Sequence, residues 1–288
     1  MEAEPVASRD VAVRVFAQPA RFLERASPFL LAREAEHSLV LGVVAAMVAR
    51  ADPAASLLLT VEAGDDVVGC AFQTPPEKLV LTRMPAAVVP ALLAAVATRC
   101  DALPAVHGPA PVAPAFAAAW AARFGLHVRP GMQQGIYELT QVIEPAHAAP
   151  GTLRLAVQRD AGRITEWVAA FGREADHPLR NPGAVARARI GQRSLWLWED
   201  GEPVALAGRM GRTPHGDRIG FVYTPPERRG RGYATVLVAR LSQQVLAEGR
   251  RFCSLYTDLS NATSNAIYQR IGYRRVAEVA DYVVAPSA

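Results

Sequence analysis

Residues 218–234, Arg-Ile-Gly-Phe-Val-Tyr-Thr-Pro-Pro-Glu-Arg-Arg-Gly-Arg-Gly-Tyr-Ala, constrain the fold more than any other stretch. The β-branched and aromatic run from Ile219 to Thr224 predicts a strand. Pro225-Pro226 ends it, because proline has no N–H to give to a ladder. A basic loop punctuated by glycine follows. From Tyr233 or Ala234 onward, Val236, Leu237, Ala239, Leu241 and Val245 recur at helical spacing. A strand, a glycine loop and a helix N-terminus in that order make an anion site, since successive backbone N–H groups and the positive end of the helix dipole point the same way. The glycine spacing is neither that of the nucleotide phosphate loop nor that of the dinucleotide fingerprint. Over six residues a solvated basic turn would look the same, so the assignment rests on what lies downstream.

The helix closes at Gly249, and Phe252 to Thr257 predicts the next strand. The run from Asp258 to Tyr273 then places Asn261, Ser264, Tyr268, Gly272 and Tyr273 at intervals of three, seven, eleven and twelve from the asparagine. Together with Arg229-Gly230-Arg231-Gly232-Tyr233-Ala234, which fits Arg/Gln-x-x-Gly-x-Gly/Ala, this order resembles the GNAT superfamily of N-acetyltransferases. Tyr273 stands where that superfamily has phenylalanine. The resemblance implies an α/β (α+β) fold, a mixed, mostly antiparallel sheet flanked by helices, and acetyl-CoA as co-substrate. It implies that Arg229, Gly230, Arg231, Gly232, Tyr233, Ala234 and Thr235 hold the pyrophosphate. Val222, Tyr223 and Thr224 would offer a strand edge to the pantetheine amides, Asn261 would bond the pantetheine arm, and Tyr268 would protonate the leaving thiolate. Read from the residues alone, Asn261 is equally a helix N-cap and Tyr268 a helix tyrosine packed on the sheet. The place where some relatives carry a glutamate base is Tyr256 here. Asp258, Glu174, Asp176 and His177 are the titratable groups nearby, and water could also relay the proton.

Composition narrows the alternatives. The chain has 288 residues and a formal charge of +4, enough for two ordinary domains and no strong polyelectrolyte character. No long basic run or interleaved aromatic platform suggests nucleic acid, and no apolar run spans a bilayer. Without a signal-peptide pattern the expected location is cytoplasmic. Cys70, Cys100 and Cys253 read as small buried hydrophobes, and the six histidines lack ligand spacing, so no metal is expected.

The pattern of elements divides the chain into residues 1–143 and 151–288, joined by a linker from Glu144 to Gly151. Residues 1–19 show no clear pattern. Helices are expected over 20–33, 37–50, 86–99 and 113–124, and strands over 56–62, 67–72, 79–81, 103–106 and 134–142. The second half repeats that order. A shift of 147 residues brings Gly272 onto Gly125 but Gly232 onto Pro85, Tyr268 onto Ala121 and Asn261 onto Pro114. The first half would therefore keep the fold and lose the chemistry, its loop Thr82-Arg83-Met84-Pro85 having no glycine. The expected activity is transfer of an acetyl group to a primary amine, on a small molecule or a peptide, by a monomer or homodimer. Two alternatives stand: another acyl-CoA or an amino-acid acceptor, as in glycine N-acyltransferases, and a non-catalytic CoA-binding protein.

Overall fold

The computed structural model describes residues 11–50, 56–147, 149–175 and 178–286. Two compact units emerge. One gathers the chain up to Ile136 with residues 258–260 and those from Val276 on; the other holds Tyr137–Thr257 and Asn261–Arg275.

The first unit contains strands β1 (Val11–Val15), β2 (Leu57–Ala63), β3 (Asp66–Gln73), β4 (Leu79–Leu81) and β5 (Ala105–Gly108). Its helices are α1 (Pro19–Leu31), α2 (Ser38–Arg50), α3 (Val89–Ala97) and α4 (Val112–Phe124). Strands β1 to β4 pair antiparallel in sequence order, and β4 then pairs parallel with β5. Alternation on β2 decides the layers. Leu58 turns to the α1/α2 side with Phe22 and Leu30, while Leu57 and Leu59 turn to the α3/α4 side with Phe116 and Trp120. β1 was not legible in the expected pattern for residues 1–19. Val11, Val13 and Val15 alternate over too short a span to register, yet they pack against the α3/α4 cluster.

The second unit contains β7 (Thr152–Leu155), α5 (Ala161–Glu174), α6 (Pro182–Gly191), β8 (Leu195–Asp200), β9 (Glu202–Arg212), β10 (Gly216–Tyr223), α7 (Tyr233–Ala247), β11 (Phe252–Asp258) and α8 (Ala262–Arg270). Here too three antiparallel pairings, β7 to β10, are followed by one parallel pairing, β10 with β11. The two units share this order of pairings, and the 147-residue shift brings α7, β11 and α8 onto α3, β5 and α4 but leaves the earlier strands out of step. Leu195 and Leu197 face α5 and α6; Trp196 and Trp198 face α7 and α8.

Strands β6 (Leu126–Leu139) and β12 (Arg274–Pro286) depart from the sequence expectation. β6 begins eight residues before Gln134 because Pro130-Gly131, which reads as a break, lies inside it; an ideal Cβ on Gly131 would stand 2.9 Å from Asp281 Cβ. Its last residues, Tyr137 and Leu139, belong to the core of the second unit. β12 is one long strand, and Ala280–Val283 pair antiparallel with β5 in the first unit. The compact units therefore divide at Ile136–Tyr137, and the chain's final strand packs with the first unit.

Candidate active site

The parallel ladder between β10 and β11 covers only Gly216–Arg218 against Phe252–Ser254. Beyond it the two strands are unpaired. Two irregularities in the β9–β10 pairing accompany the opening: between Arg218 and Ile219, where β9 carries the extra residue Met210, and further along β10. Gly220 pairs with Gly208 and Tyr223 with Leu206, so three steps on β10 oppose two on β9. This is a bulge of one residue at Phe221–Val222, and Phe221 takes φ 49°. The bulge exchanges the faces. Phe221 packs on the α5 side, its ring 5.3 Å from Phe171, and Val222 turns to the α7 side with Ile219. Pro225 follows the opening and is not its cause. Past Arg218, β10 thus has backbone groups with no β11 partner, and the Thr224 hydroxyl is buried with no hydrogen-bond partner. Val222, Tyr223 and Thr224 line this edge.

At the end of β10 the chain makes a 3₁₀ turn over Pro226–Arg228 and enters the glycine loop. Gly230 and Gly232 both take positive φ, 77° and 79°, which a Cβ would strain. Gly232 is the N-cap of α7, and no side chain caps that end. Val236 N–H to Gly232 C=O, at 3.1 Å, is the first helical bond. From Gly230 to Thr235, no backbone N–H reaches a protein acceptor among the described residues. These donors are what an anion at a helix N-terminus requires.

The two arginines of the loop differ. Arg229 donates to both carboxylate oxygens of Glu174 at 2.8 Å and to Thr224 C=O at 2.9 Å, and lies 5.7 Å from the centre of the Tyr223 ring. Its charge is matched within the protein, tying the end of α5 to the loop. Arg231 is exposed and ion-paired with no carboxylate among the described residues. Tyr233 anchors the first turn of α7, its hydroxyl donating to Asp200 Oδ2 at 2.6 Å, and that bond raises the phenol's pKa. Ala234 and Thr235 are half-buried beside it.

Asn261 is the N-cap of α8, its Oδ1 accepting from Ser264 N–H at 2.9 Å. Its amide nitrogen has no protein partner among the described residues, so capping leaves a donor for a ligand carbonyl. Tyr268, on α8, is 7 % exposed and shares a core cluster with Val236 and Leu237 of α7; its ring meets Tyr273 edge-on at 6.0 Å. Burial raises the Tyr268 phenol well above its ordinary value, so it is protonated at neutral pH.

Two of the carboxylates named as bases are occupied. Glu174 is bound to Arg229, and Asp258 caps its own turn, accepting from Ser260 N–H at 2.8 Å. Asp176 and His177 lie outside the described residues. Glu138 on β6 was missed by sequence reading. Tyr137 and Leu139 face α7 and α8, so alternation turns Glu138 to the opposite face, where Ser254 and Tyr256 lie on the neighbouring β11. The pairing of β6 beside β11 is the non-local fact that sequence could not give. Among the described residues no group of histidines, cysteines and carboxylates could hold a metal, and no helix is long and apolar enough to cross a membrane. Burial pushes the Cys253 thiol up to about 12 and raises Cys70 further, as for inert core residues.

The corresponding loop of the first unit is built otherwise. Met84 is 4 % exposed in the α3/α4 core and fills the space over Gly69, where an ideal Cβ would lie 2.7 Å from Met84 Cβ. Arg83 pairs with Glu36 at 3.4 Å. No run of unpaired N–H groups around positive-φ glycines exists there to receive a phosphate.

Residues 197–282 match the family described as FR47-like protein. A comparison with curated proteins returned no match. Among solved structures, a GCN5-related N-acetyltransferase from Sphaerobacter thermophilus superposes with TM-score 0.62 at 17 % identity, covering 94 % of both chains. A GNAT-family acetyltransferase from Colwellia psychrerythraea gives 0.55 at 11 % identity, covering 95 % of this chain and 99 % of that one. A tandem GNAT protein from the clavulanic acid biosynthesis pathway gives 0.53 at 15 % identity, covering 97 % and 100 %. The fold is that of GNAT proteins. The FR47-like match runs from β8 through the glycine loop, α7 and α8 into β12.

Proposed function

We propose that the protein is an acetyl-CoA-dependent N-acetyltransferase whose second unit carries the chemistry and whose first unit is a degenerate copy. The observation that supports it most is the run of unpaired N–H groups from Gly230 to Thr235, set at the end of a strand that has opened from its neighbour. The loop N–H groups and Arg231 would hold the pyrophosphate, with Arg229 holding the loop. The freed edge of β10 from Ile219 onward would pair with pantetheine amides, helped by the Thr224 hydroxyl and the Asn261 amide. A backbone N–H at the bulge would suit a thioester oxygen that gains charge as an amine attacks. Tyr268, protonated, would supply the proton to the departing thiolate. Glu138 is the carboxylate we assign to receive, directly or through water, the proton the amine loses.

Calorimetry of the full chain with acetyl-CoA, followed by thiol detection across an amine library, tests this. Micromolar binding and thiol release with one class of amine are expected. Absence of binding overturns the proposal. Binding without turnover on any amine favours the second reading, a CoA-binding protein, for which Tyr256 at the usual glutamate position is the supporting observation.

A further inference from the structure

Several arginines around the second unit's sheet are matched by carboxylates. Arg154 holds Asp160 and Glu199, Arg209 holds Asp217 and Glu248, and Arg228 holds Glu202. Arg218 is different. It sits on β10 at the last rung before the strands part, paired in register with Ser254. It has no carboxylate partner among the described residues. Its one hydrogen bond, from Nη2 to Met210 C=O, is long at 3.4 Å, and its Nε is buried with no acceptor at all. The guanidinium lies 5.8 Å from the centre of the Tyr256 ring.

The direction of this side chain follows from its neighbours. Ile219 packs in the α7 core, and Asp217 binds Arg209, which also reaches Glu248 just past α7. Arg218 therefore faces the other side of the sheet. Tyr256 does too, since Cys253 and Leu255 of β11 pack toward α7. The cation stands on the α5 face at the base of the opening, while the phosphate cradle lies at the far end of β10. It is too remote along the strand to be part of that cradle. A guanidinium has five donors and no acceptor, and burying it without an anion is costly. Burial pulls its pKa down.

We propose that Arg218 is the specificity residue for the acceptor, binding an oxyanion carried by the amine substrate, so that the enzyme acetylates amines bearing a carboxylate or phosphate rather than simple amines. This rests on the acetyl-transfer reading and deepens it. The planar fork of Arg218 suits two-point recognition of a carboxylate, and the Tyr256 ring holds the guanidinium plane in place. Loss of a hydrogen bond to a charged group changes binding by about 10- to 150-fold.

The test uses the full chain saturated with CoA and two readouts. In the first, glycine, β-alanine, γ-aminobutyrate and O-phosphoethanolamine are titrated calorimetrically beside glycinamide, β-alaninamide and ethanolamine. In the second, thiol release from acetyl-CoA is followed with the same compounds. An anionic member should bind at least about tenfold more tightly than its neutral partner. Arg218→Met should abolish that ratio without weakening acetyl-CoA binding, and Arg218→Lys, which keeps the charge, should restore part of it. Carboxylate and phosphate arms separate the two oxyanions. Wild-type protein that binds anionic and neutral partners alike overturns the proposal, as does a ratio that survives in folded Arg218→Met. The acetyl-transfer reading fails separately, if CoA does not bind or no amine releases thiol. Should Arg218→Met not fold, the Lys variant decides: a preference for anionic over neutral acceptors that is reduced but not abolished supports the assignment, and a preference unchanged from wild type overturns it.

Discussion

Gly232→Val separates a phosphate cradle from an ordinary turn. Gly232 has φ 79° and ψ 1°, left-handed backbone that costs a side-chain-bearing residue about 1–2 kcal/mol. Sterically the unliganded protein has room, because an ideal Cβ there meets only Ala149 Cβ, at 3.8 Å. The expected loss of stability is thus the backbone strain alone, a fall in melting temperature of about 2–8 °C for a chain this size. Binding should suffer more. The new side chain would occupy the space in front of the N–H groups that start α7. Losing two charge-assisted hydrogen bonds at about 1.5–3 kcal/mol each weakens acetyl-CoA by roughly 10²- to 10⁴-fold. Calorimetry on protein shown to be folded by circular dichroism measures the affinity. Equal dissociation constants for the variant and the wild type, with the fold intact, would refute the cradle and leave the loop a basic turn.

Tyr268→Phe should lower kcat by about 10²- to 10⁴-fold at unchanged acetyl-CoA affinity, because the ring that packs on Tyr273 is kept and only the hydroxyl is lost; an unaltered kcat with a true acceptor removes Tyr268 from the mechanism. A fragment spanning residues 151–288 should fail to fold cooperatively, since it loses Tyr137 and Leu139, each 1 % exposed, from its core and leaves Ala280–Val283 without β5; a sharp thermal transition in that fragment would contradict this. Asp281→Asn should destabilise the protein by about 1–3 kcal/mol at neutral pH, as Lys78 and His107 lose their carboxylate partner. Burial would raise the Asp281 carboxyl, but the His107 hydrogen bond and the charges of His107 and Lys78 outweigh it and hold the carboxyl below its ordinary value. That stabilisation is therefore present above the ordinary carboxylate range and lost as pH falls through the lowered value, so wild type and variant should converge in acid. A constant gap from pH 7 to below pH 3 would show that the pair is not what the mutation removes.

What the sequence made legible, and what it did not, divides on the range of the interaction. The glycine loop is local. Its glycine spacing, the proline stop before it and the helix after it lie within seventeen residues, and the backbone conformation they demand is the one found. Asn261 capping α8 is local in the same way, with Ser264 three residues on. The bulge on β10 left no such mark, because its positive φ falls on Phe221 rather than on a glycine, and only the side-chain faces on either side of it betray the extra residue. Arg229 looked like a phosphate ligand, and what instead holds it, Glu174, is 55 residues earlier. The destination of β12 depends on pairing with β5, more than 170 positions away, as His107 with Asp281 shows. Arg218 is the sharpest case. In sequence it is one arginine of many at the head of a strand, and only the absence of a partner around it gives it a meaning. Pattern in a sequence reports what a residue is next to along the chain; the chemistry of Arg218 lies in what the fold keeps away from it. The proposal for Arg218 starts from a part-buried cation whose Nε the fold leaves without an acceptor, an arrangement that is costly unless an anion meets it.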